Sequence, residues 1–284
     1  MYLDASTALH DPMTAKNRAD LRSAGLSQSA ITRAVRAGML IRARNGVYLL
    51  PGAPEDALAA ATVGGLVACV SALGALGVFV LERSALHISL SPHATRLRHT
   101  DRPVVRHWRP LRRAVDRQSL HVDVFDALLQ STLCQTPRAA LATLDSALHL
   151  GIVDEDDLDE IFRHVPVRRR SLRALVDGRM EAGSESFVRL MLRALGVSFE
   201  PQVVIPGVGR VDFLVEGWLI IECDSREFHE GWEAQARDRE RDLAAAALGY
   251  ATLRPVAADI FGRPDQVIAA IRGLLAALAR PGRR

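Results

Sequence analysis

Val211-Asp212-Phe213-Leu214-Val215, a turn at Glu216-Gly217, and then Trp218-Leu219-Ile220-Ile221-Glu222-Cys223-Asp224-Ser225 decide the C-terminal fold. Short apolar runs bounded by a glycine turn read as two strands of a hairpin. Residues two apart on a strand share a face, so Glu222 and Asp224 point the same way. A tight hairpin brings Asp212 beside the end of the second strand. Three carboxylates then converge at one edge of a small sheet, where they repel one another and resist desolvation. A divalent cation resolves that conflict. Hard oxygen ligands with open water positions suit Mg²⁺ or Mn²⁺ at Asp212, Glu222 and Asp224.

Working outward, Ser184 to Leu195 forms an amphipathic helix with Phe187, Leu190, Met191 and Leu195 on one face, and Gly196 ends it. Strands follow at Phe199–Ile205, Arg210–Val215 and Trp218–Asp224. A charged helix at about 232–248, a strand at Tyr250–Arg254 and a helix at 264–279 complete the order α, β, β, β, α, β, α. Glu185 follows the helix cap, where an acid suits the helix dipole; it is also a candidate for the site. His229 lies on the loop leaving the third strand, and its ordinary pKa of about 6.5 lets it act as general acid or base. Asp238 and Arg241, one turn apart on the next helix, either form a solvated pair or brace the site.

The set Val211-Asp212-Phe213, Ile221-Glu222-Cys223-Asp224-Ser225, His229, Asp238-Arg239-Glu240-Arg241-Asp242, Leu248-Gly249-Tyr250 and Leu253-Arg254 resembles the Vsr-like (very-short-patch-repair-like) endonuclease domains of the PD-(D/E)XK superfamily. The resemblance covers about residues 170–284. It implies a restriction-endonuclease fold, with Asp212 and Glu222 as metal ligands. Asp224 stands where most of the superfamily has Lys, His229 at the family's His position, and Glu185 at its helix Glu. The chain departs at Cys223 and Ser225, where relatives usually carry an aliphatic residue and Gly.

Residues 14–50 read as helix, helix and strand pair. A short helix runs from Lys16 to Ala24, and Gly25 ends it. Ser27 caps a second helix reaching Ala37. Ile31 and Val35 mark its buried face, and Gln28, Ser29, Thr32, Arg33 and Arg36 fall outside. Asn45-Gly46, between Leu40–Arg44 and Val47–Leu50, is a strong hairpin signal. The Gly25-Leu26-Ser27 turn, the Ile31–Ala37 helix, Gly38 and Arg44-Asn45-Gly46-Val47-Tyr48 resemble the winged-helix module of AbiEi-type antitoxins, the repressor halves of type IV toxin–antitoxin systems. The stretch from Leu66 to about Phe162 loosely resembles the middle of such proteins. This resemblance implies double-stranded DNA as partner. The second helix would enter the major groove, with Arg42 and Arg44 reaching the backbone. A homodimer and a cognate toxin stay open.

The whole chain has 284 residues, 49% hydrophobic and 24% charged, with net charge +3. That suits a multidomain globular protein of the α+β or α/β kind. The expected domains are a winged helix-turn-helix at 1–52, a mixed helical middle at 53–165 and the nuclease-like domain at 166–284. In the middle, helices are expected at 123–134, 137–149 and 154–163, and strands at Leu86–Leu90 and Val104–Trp108. Ala57–Leu81 carries no charge, yet Gly64, Gly65, Gly74 and Gly77 interrupt it. Two short buried helices broken near Gly64-Gly65 account for it better than a membrane span. No signal peptide is legible, so a cytoplasmic location is the default. Eight arginines between Arg96 and Arg117 read as a solvated face before a DNA track. Cys69, Cys134 and Cys223, odd in number and far apart, rule out a disulfide scaffold and a Cys-based zinc site. His87, His93, His99 and His107 show no ligand spacing, so no metal is expected there.

From sequence, then, the chain is a DNA-binding protein with a metal-dependent endonuclease-like domain. The alternative is a repressor or antitoxin with an inactive nuclease fold.

Overall fold

A computed structural model describes residues 13–224 and 232–278. The architecture is mixed α and β, with three separate sheets among the described residues. The chain divides into two compact units. One is formed by residues up to Ala140 with Ile152–Arg173, the other by Leu141–Gly151 and the chain from Ala174 on.

The first unit opens with α1 (Arg18–Ser23) and α2 (Gln28–Arg36). The Asn17 side chain accepts the N–H groups of Ala19 and Asp20, and Asp20 accepts that of Asn17 in return. Ser27 Oγ accepts the Ala30 N–H at the start of α2. Such caps satisfy donors that the first turn leaves free. Leu21, Ile31, Ala34, Leu40 and Tyr48 close a small core beneath the two helices. β1 (Ile41–Arg44) and β2 (Val47–Leu49) pair antiparallel around Asn45-Gly46, as the dipeptide predicts.

α3 (Glu55–Val63), β3 (Leu66–Val67) and α4 (Cys69–Ala75) occupy the uncharged stretch, which breaks at Gly64-Gly65 as expected. A Cβ on Gly65 would sit 2.5 Å from the Ser89 carbonyl oxygen, so glycine is what permits the close approach of the two chain segments. Among the described residues, no helix is long and apolar enough to cross a membrane. β3 pairs antiparallel with β4 (Leu86–Ser89), which pairs parallel with β5 (Val104–His107). The remaining helices of the middle segment are α5 (Val124–Cys134), α6 (Pro137–His149), α7 (Glu155–His164) and α8 (Val167–Arg170). The expected first segment and the expected middle, apart from Leu141–Gly151, fall in one unit. Arg98 donates to the Ala43 carbonyl at 3.1 Å, and the Arg44 guanidinium lies against Gly64. Arg102 pairs with Asp56 and Arg113 with Glu160, so part of the arginine cluster is tied internally.

The second unit carries α9 (Gly183–Leu195), β6 (Phe199–Ile205), β7 (Gly209–Val215), β8 (Leu219–Ile221), α10 (Trp232–Ala247), β9 (Ala251–Leu253), α11 (Ala257–Gly262) and α12 (Pro264–Leu278). Its sheet runs β6-β7-β8-β9, antiparallel except for the parallel β8–β9 pair. Ile205, Val208, Val211, Ile220 and Ala245 pack one layer of its core. From Leu141 onward α6 belongs to this unit, and its Asp145 is wholly buried. Asp145 accepts from Arg189 Nη2 at 2.8 Å, Ser186 Oγ at 2.7 Å and the Asp177 N–H at 2.7 Å.

Breaking a buried pair from one side strands the other charge and costs about 3–5 kcal/mol. Arg189→Met should therefore lower unfolding stability by about that much. Asp145→Asn added to it should recover a large part, as read by urea denaturation. A loss under about 1 kcal/mol for the single variant would show that the pair does not hold α9.

Candidate functional site

The β7–β8 register pairs Phe213 with Ile221 and Leu214 with Ile220. One step further along that register, Asp212 stands opposite Glu222. Facing residues of an antiparallel pair project from the same face. Asp212 Oδ2 accepts the Cys223 N–H at 2.7 Å, which fixes the carboxylate at the mouth of the hairpin. Glu185 comes from the first turn of α9. Its Oε2 accepts the Glu181 N–H, its Oε1 the Ala182 N–H, and Gln202 Nε2 donates to Oε2 at 2.9 Å. Arg241 of α10 donates through Nη2 to Glu222 Oε1 at 2.8 Å and to the Arg210 carbonyl at 2.7 Å. Arg254, just past β9, lies 3.7 Å from the same Glu222 oxygen and 2.8 Å from Asp242.

These acids are costly to ionise together. Burial raises the Glu185 pKa from its ordinary 4.5 to about 7, and the charge of Asp212 adds to the rise. Burial first and Asp212 second also raise Glu222, against the pull of Arg241 and Arg254. Asp212 is raised by burial, while the Cys223 N–H draws it back. The Gln202 amide oxygen and the Ser184 hydroxyl are buried without a hydrogen-bond partner. Surplus negative charge beside an unpartnered amide oxygen is a donor set of hard oxygens. Oxygens of this kind are what Mg²⁺ or Mn²⁺ takes, although among the described residues Asp212, Glu222 and Glu185 are not gathered into one close ligand set. The bonds just described engage Oδ2 of Asp212 and Oε1 of Glu222, and the second oxygen of each is what a cation would take.

The other expected residues fall as follows. Asp224 is exposed, and its backbone continues the pairing toward Val256. Among the described residues, Asp212, Glu222 and Asp224 are not gathered into one close ligand set. Besides Glu222, the carboxylate that shares the field of Asp212 is Glu185. Arg241 braces Glu222, one of its two expected roles. His229 and the Asp238 side chain lie outside the described residues. The Cys223 thiol is buried and held protonated. On α2, Gln28, Ser29, Thr32, Arg33 and Arg36 are all exposed. Arg42 is exposed and donates to Asn45, whereas Arg44 is half-buried against Gly64 and is not a free arm.

One expectation is overturned. Cys69, His87, His107 and Cys134 come together with their ligand atoms all within 4.8 Å of one another, and this set could bind a metal ion. The sequence gives no short ligand spacing because each residue comes from a different element. Cys69 opens α4, Cys134 closes α5, and the two histidines lie on neighbouring parallel strands. The legible signal was a His in each of two adjacent predicted strands, at positions that can share a face.

No family model matches the chain. It is 31% identical over 259 residues to two Mycobacterium tuberculosis proteins, covering 84% of its own length and 93% of theirs. They are uncharacterized protein MT2308 of strain CDC 1551 / Oshkosh and uncharacterized protein Rv2248 of strain ATCC 25618 / H37Rv.

A carboxyl group whose pKa is raised by folding binds its proton more tightly in the folded state. Its contribution to stability is full at pH below 4.5 and declines as pH rises toward about 7. Thermal stability of the wild type should accordingly fall across that window, and Glu185→Gln should flatten the fall. Mg²⁺ should flatten it too, by compensating the ionised form. A Glu185→Gln profile parallel to wild type would show that this group does not titrate there.

Proposed function

We propose that this chain, which belongs to the family of those two mycobacterial proteins, binds double-stranded DNA and carries a metal-dependent endonuclease-like site. Residues 14–52 are read as a winged helix-turn-helix and 166–284 as a PD-(D/E)XK-like domain of the Vsr kind. The α9, β6, β7, β8, α10, β9 order is consistent with the second reading. Its chief support is the surplus of carboxylate at the ends of the inner strands β7 and β8, where burial and Asp212 raise Glu185 to about 7.

Asp212 and Glu222 would hold Mg²⁺ or Mn²⁺, with the Gln202 amide oxygen nearby. When bound, such a cation supplies a water of lowered pKa and stabilises charge on a phosphoryl oxygen. Arg241 fixes the rotamer of Glu222 through its ties to the Val208 and Arg210 carbonyls. Glu185 secures the start of α9 and positions Gln202. His229 is the proposed proton carrier. On α2, Arg33 and Arg36 would present donors to bases and phosphates, Thr32, whose hydroxyl donates to the Gln28 carbonyl, would offer an acceptor, and Gln28 and Ser29 sit at the N-terminal end. A cytoplasmic location goes with this reading.

A second reading is favoured by one observation. Arg241 and Arg254 both reach Glu222 Oε1, and two guanidinium groups can neutralise that acid without any metal. The chain would then be a DNA-binding repressor of the antitoxin type. Plasmid nicking with Mg²⁺ or Mn²⁺ separates the two. The nuclease reading expects metal-dependent nicking that Asp212→Asn lowers about a hundredfold or more, near 2.7 kcal/mol of barrier. Absence of nicking by wild type on supercoiled, linear and mismatched DNA, with tight binding retained, would leave the repressor.

Arg33→Ala with Arg36→Ala should weaken DNA binding. It should also make the dependence of log K on log salt shallower by up to about 2, about one for each phosphate no longer neutralised. An unchanged slope would remove α2 from the DNA interface.

A further inference from the structure

We propose that Cys69, His87, His107 and Cys134 form a tetrahedral zinc site that fastens the middle segment of the first unit. The site is separate from the carboxylate edge and does not depend on the nuclease reading.

The placement begins with the parallel β4–β5 ladder. His87 pairs with Val105 and Ser89 with His107, so the two histidines sit two positions apart along the ladder and on one face. His87 Nδ1 is 3.1 Å from His107 Nε2 and 3.9 Å from Cys134 Sγ. Typical zinc–nitrogen and zinc–sulfur bonds at tetrahedral angles put N···N at about 3.4 Å, N···S at about 3.6 Å and S···S at about 3.8 Å. These two separations lie within about 0.3 Å of those edges, the N···N a little short and the N···S a little long, and all the ligand atoms lie within 4.8 Å of one another.

Cys69 arrives by a different route. It follows β3, and the Ala68 N–H donates to the His87 carbonyl, which carries the chain past the strand. Cys69 has φ +50°, a left-handed conformation rare outside glycine and asparagine. Strain of this kind costs about 1–3 kcal/mol and persists where the surroundings enforce it, commonly at functional sites. Its consequence here is to turn a wholly buried thiol toward the histidines at the mouth of α4.

The charge balance suits a divalent soft-to-borderline ion. Two thiolates and two neutral imidazoles around Zn²⁺ sum to zero, so the complex can be buried at little cost. Zinc takes cysteine as the thiolate and histidine as the neutral imidazole. Loading displaces the thiol protons to solvent, with no oxidant or reductant involved. His107 and Cys134 line a cleft shared with Gln130, whose amide oxygen is buried without a partner. That oxygen is an acceptor of the kind the second ring N–H of a ligating histidine takes.

With four protein ligands the site is closed, so its role is structural. It clamps the N-terminal end of α4, the C-terminal end of α5 and both parallel strands.

The test uses the untagged full-length chain, purified without chelator. Metal analysis should find one zinc per chain. Replacement by Co²⁺ should give intense d–d bands of a tetrahedral ion with a thiolate charge-transfer band, together with proton release. Cys134→Ser, at an exposed position, should reduce zinc retention by more than the roughly 10–100-fold that an outer-shell loss costs, whereas His93→Ala should retain it. Chelation should lower the melting temperature of wild type and leave Cys134→Ser unmoved. The proposal is overturned if folded, reduced wild type takes up neither Zn²⁺ nor Co²⁺. It is equally overturned if the Co²⁺ form shows no thiolate band, or if anaerobically prepared protein carries a Cys69–Cys134 disulfide instead. The spectrum is read on wild type, so misfolding of a variant cannot mask the answer.

Discussion

One buried ion pair positions the second unit: Asp145 with Arg189, both almost without solvent exposure. Burial raises the Asp145 pKa despite the guanidinium, so the pair is not a large net source of stability. Its effect is geometric. A buried charge permits few arrangements, and Asp145 takes Ser186, Arg189 and the Asp177 backbone at once. Those partners fix the rotation of α9 and the path of the chain leading into it. Glu185, in the first turn of that helix, is thereby set beside β6 and β7, where it meets Gln202 and the field of Asp212.

The edge of the sheet then follows from register alone. Alternation in Val211–Val215 puts Val211, Phe213 and Val215 into the core. Asp212 must take the other face, and the short Glu216-Gly217 turn sets it opposite Glu222. That much was legible in the sequence, because a period of two and a tight turn leave a single pairing. The fate of Asp224 was not. Past Ile221 the backbone keeps the β8–β9 register as far as Asp224 and Val256, but Asp224 is exposed where Glu222 is buried. Likewise, Arg44 looked like a free arm because nothing local shows that Gly64 leaves room for a guanidinium against the α3 terminus.

The N-terminal helices and hairpin were legible for the same kind of reason. Ser27, Asn45-Gly46 and the spacing of Leu21, Ile31 and Leu40 are local signals acting over a few residues. The Cys/His cluster was missed because it has no local signal. Ligand motifs are recognisable when two donors share a turn or a hairpin, and here four elements give one donor each. The odd third thiol, Cys223, also hid the pairing of the other two, since parity argues only when every cysteine shares one fate. Short elements such as β3 and α11 were missed because a few residues carry no period.

The two sites differ in how their charge is balanced, and that difference bears on what each can do. Around Cys69 and Cys134 the donors suit a borderline-soft ion and can neutralise it completely, which leaves no open position and no reason for exchange. Around Asp212 and Glu222 the donors are hard, burial raises both carboxyls, and Arg241 and Arg254 both reach Glu222 Oε1. A magnesium-type ion there would keep waters and remain exchangeable. The same arginines set a threshold, since a cation must compete with them for Glu222. The second oxygens of Asp212 and Glu222 decide the outcome. If a cation can take both without displacing Arg241, the arginine brace preorganises the site; if it cannot, the brace is a permanent counter-ion and the edge is inert.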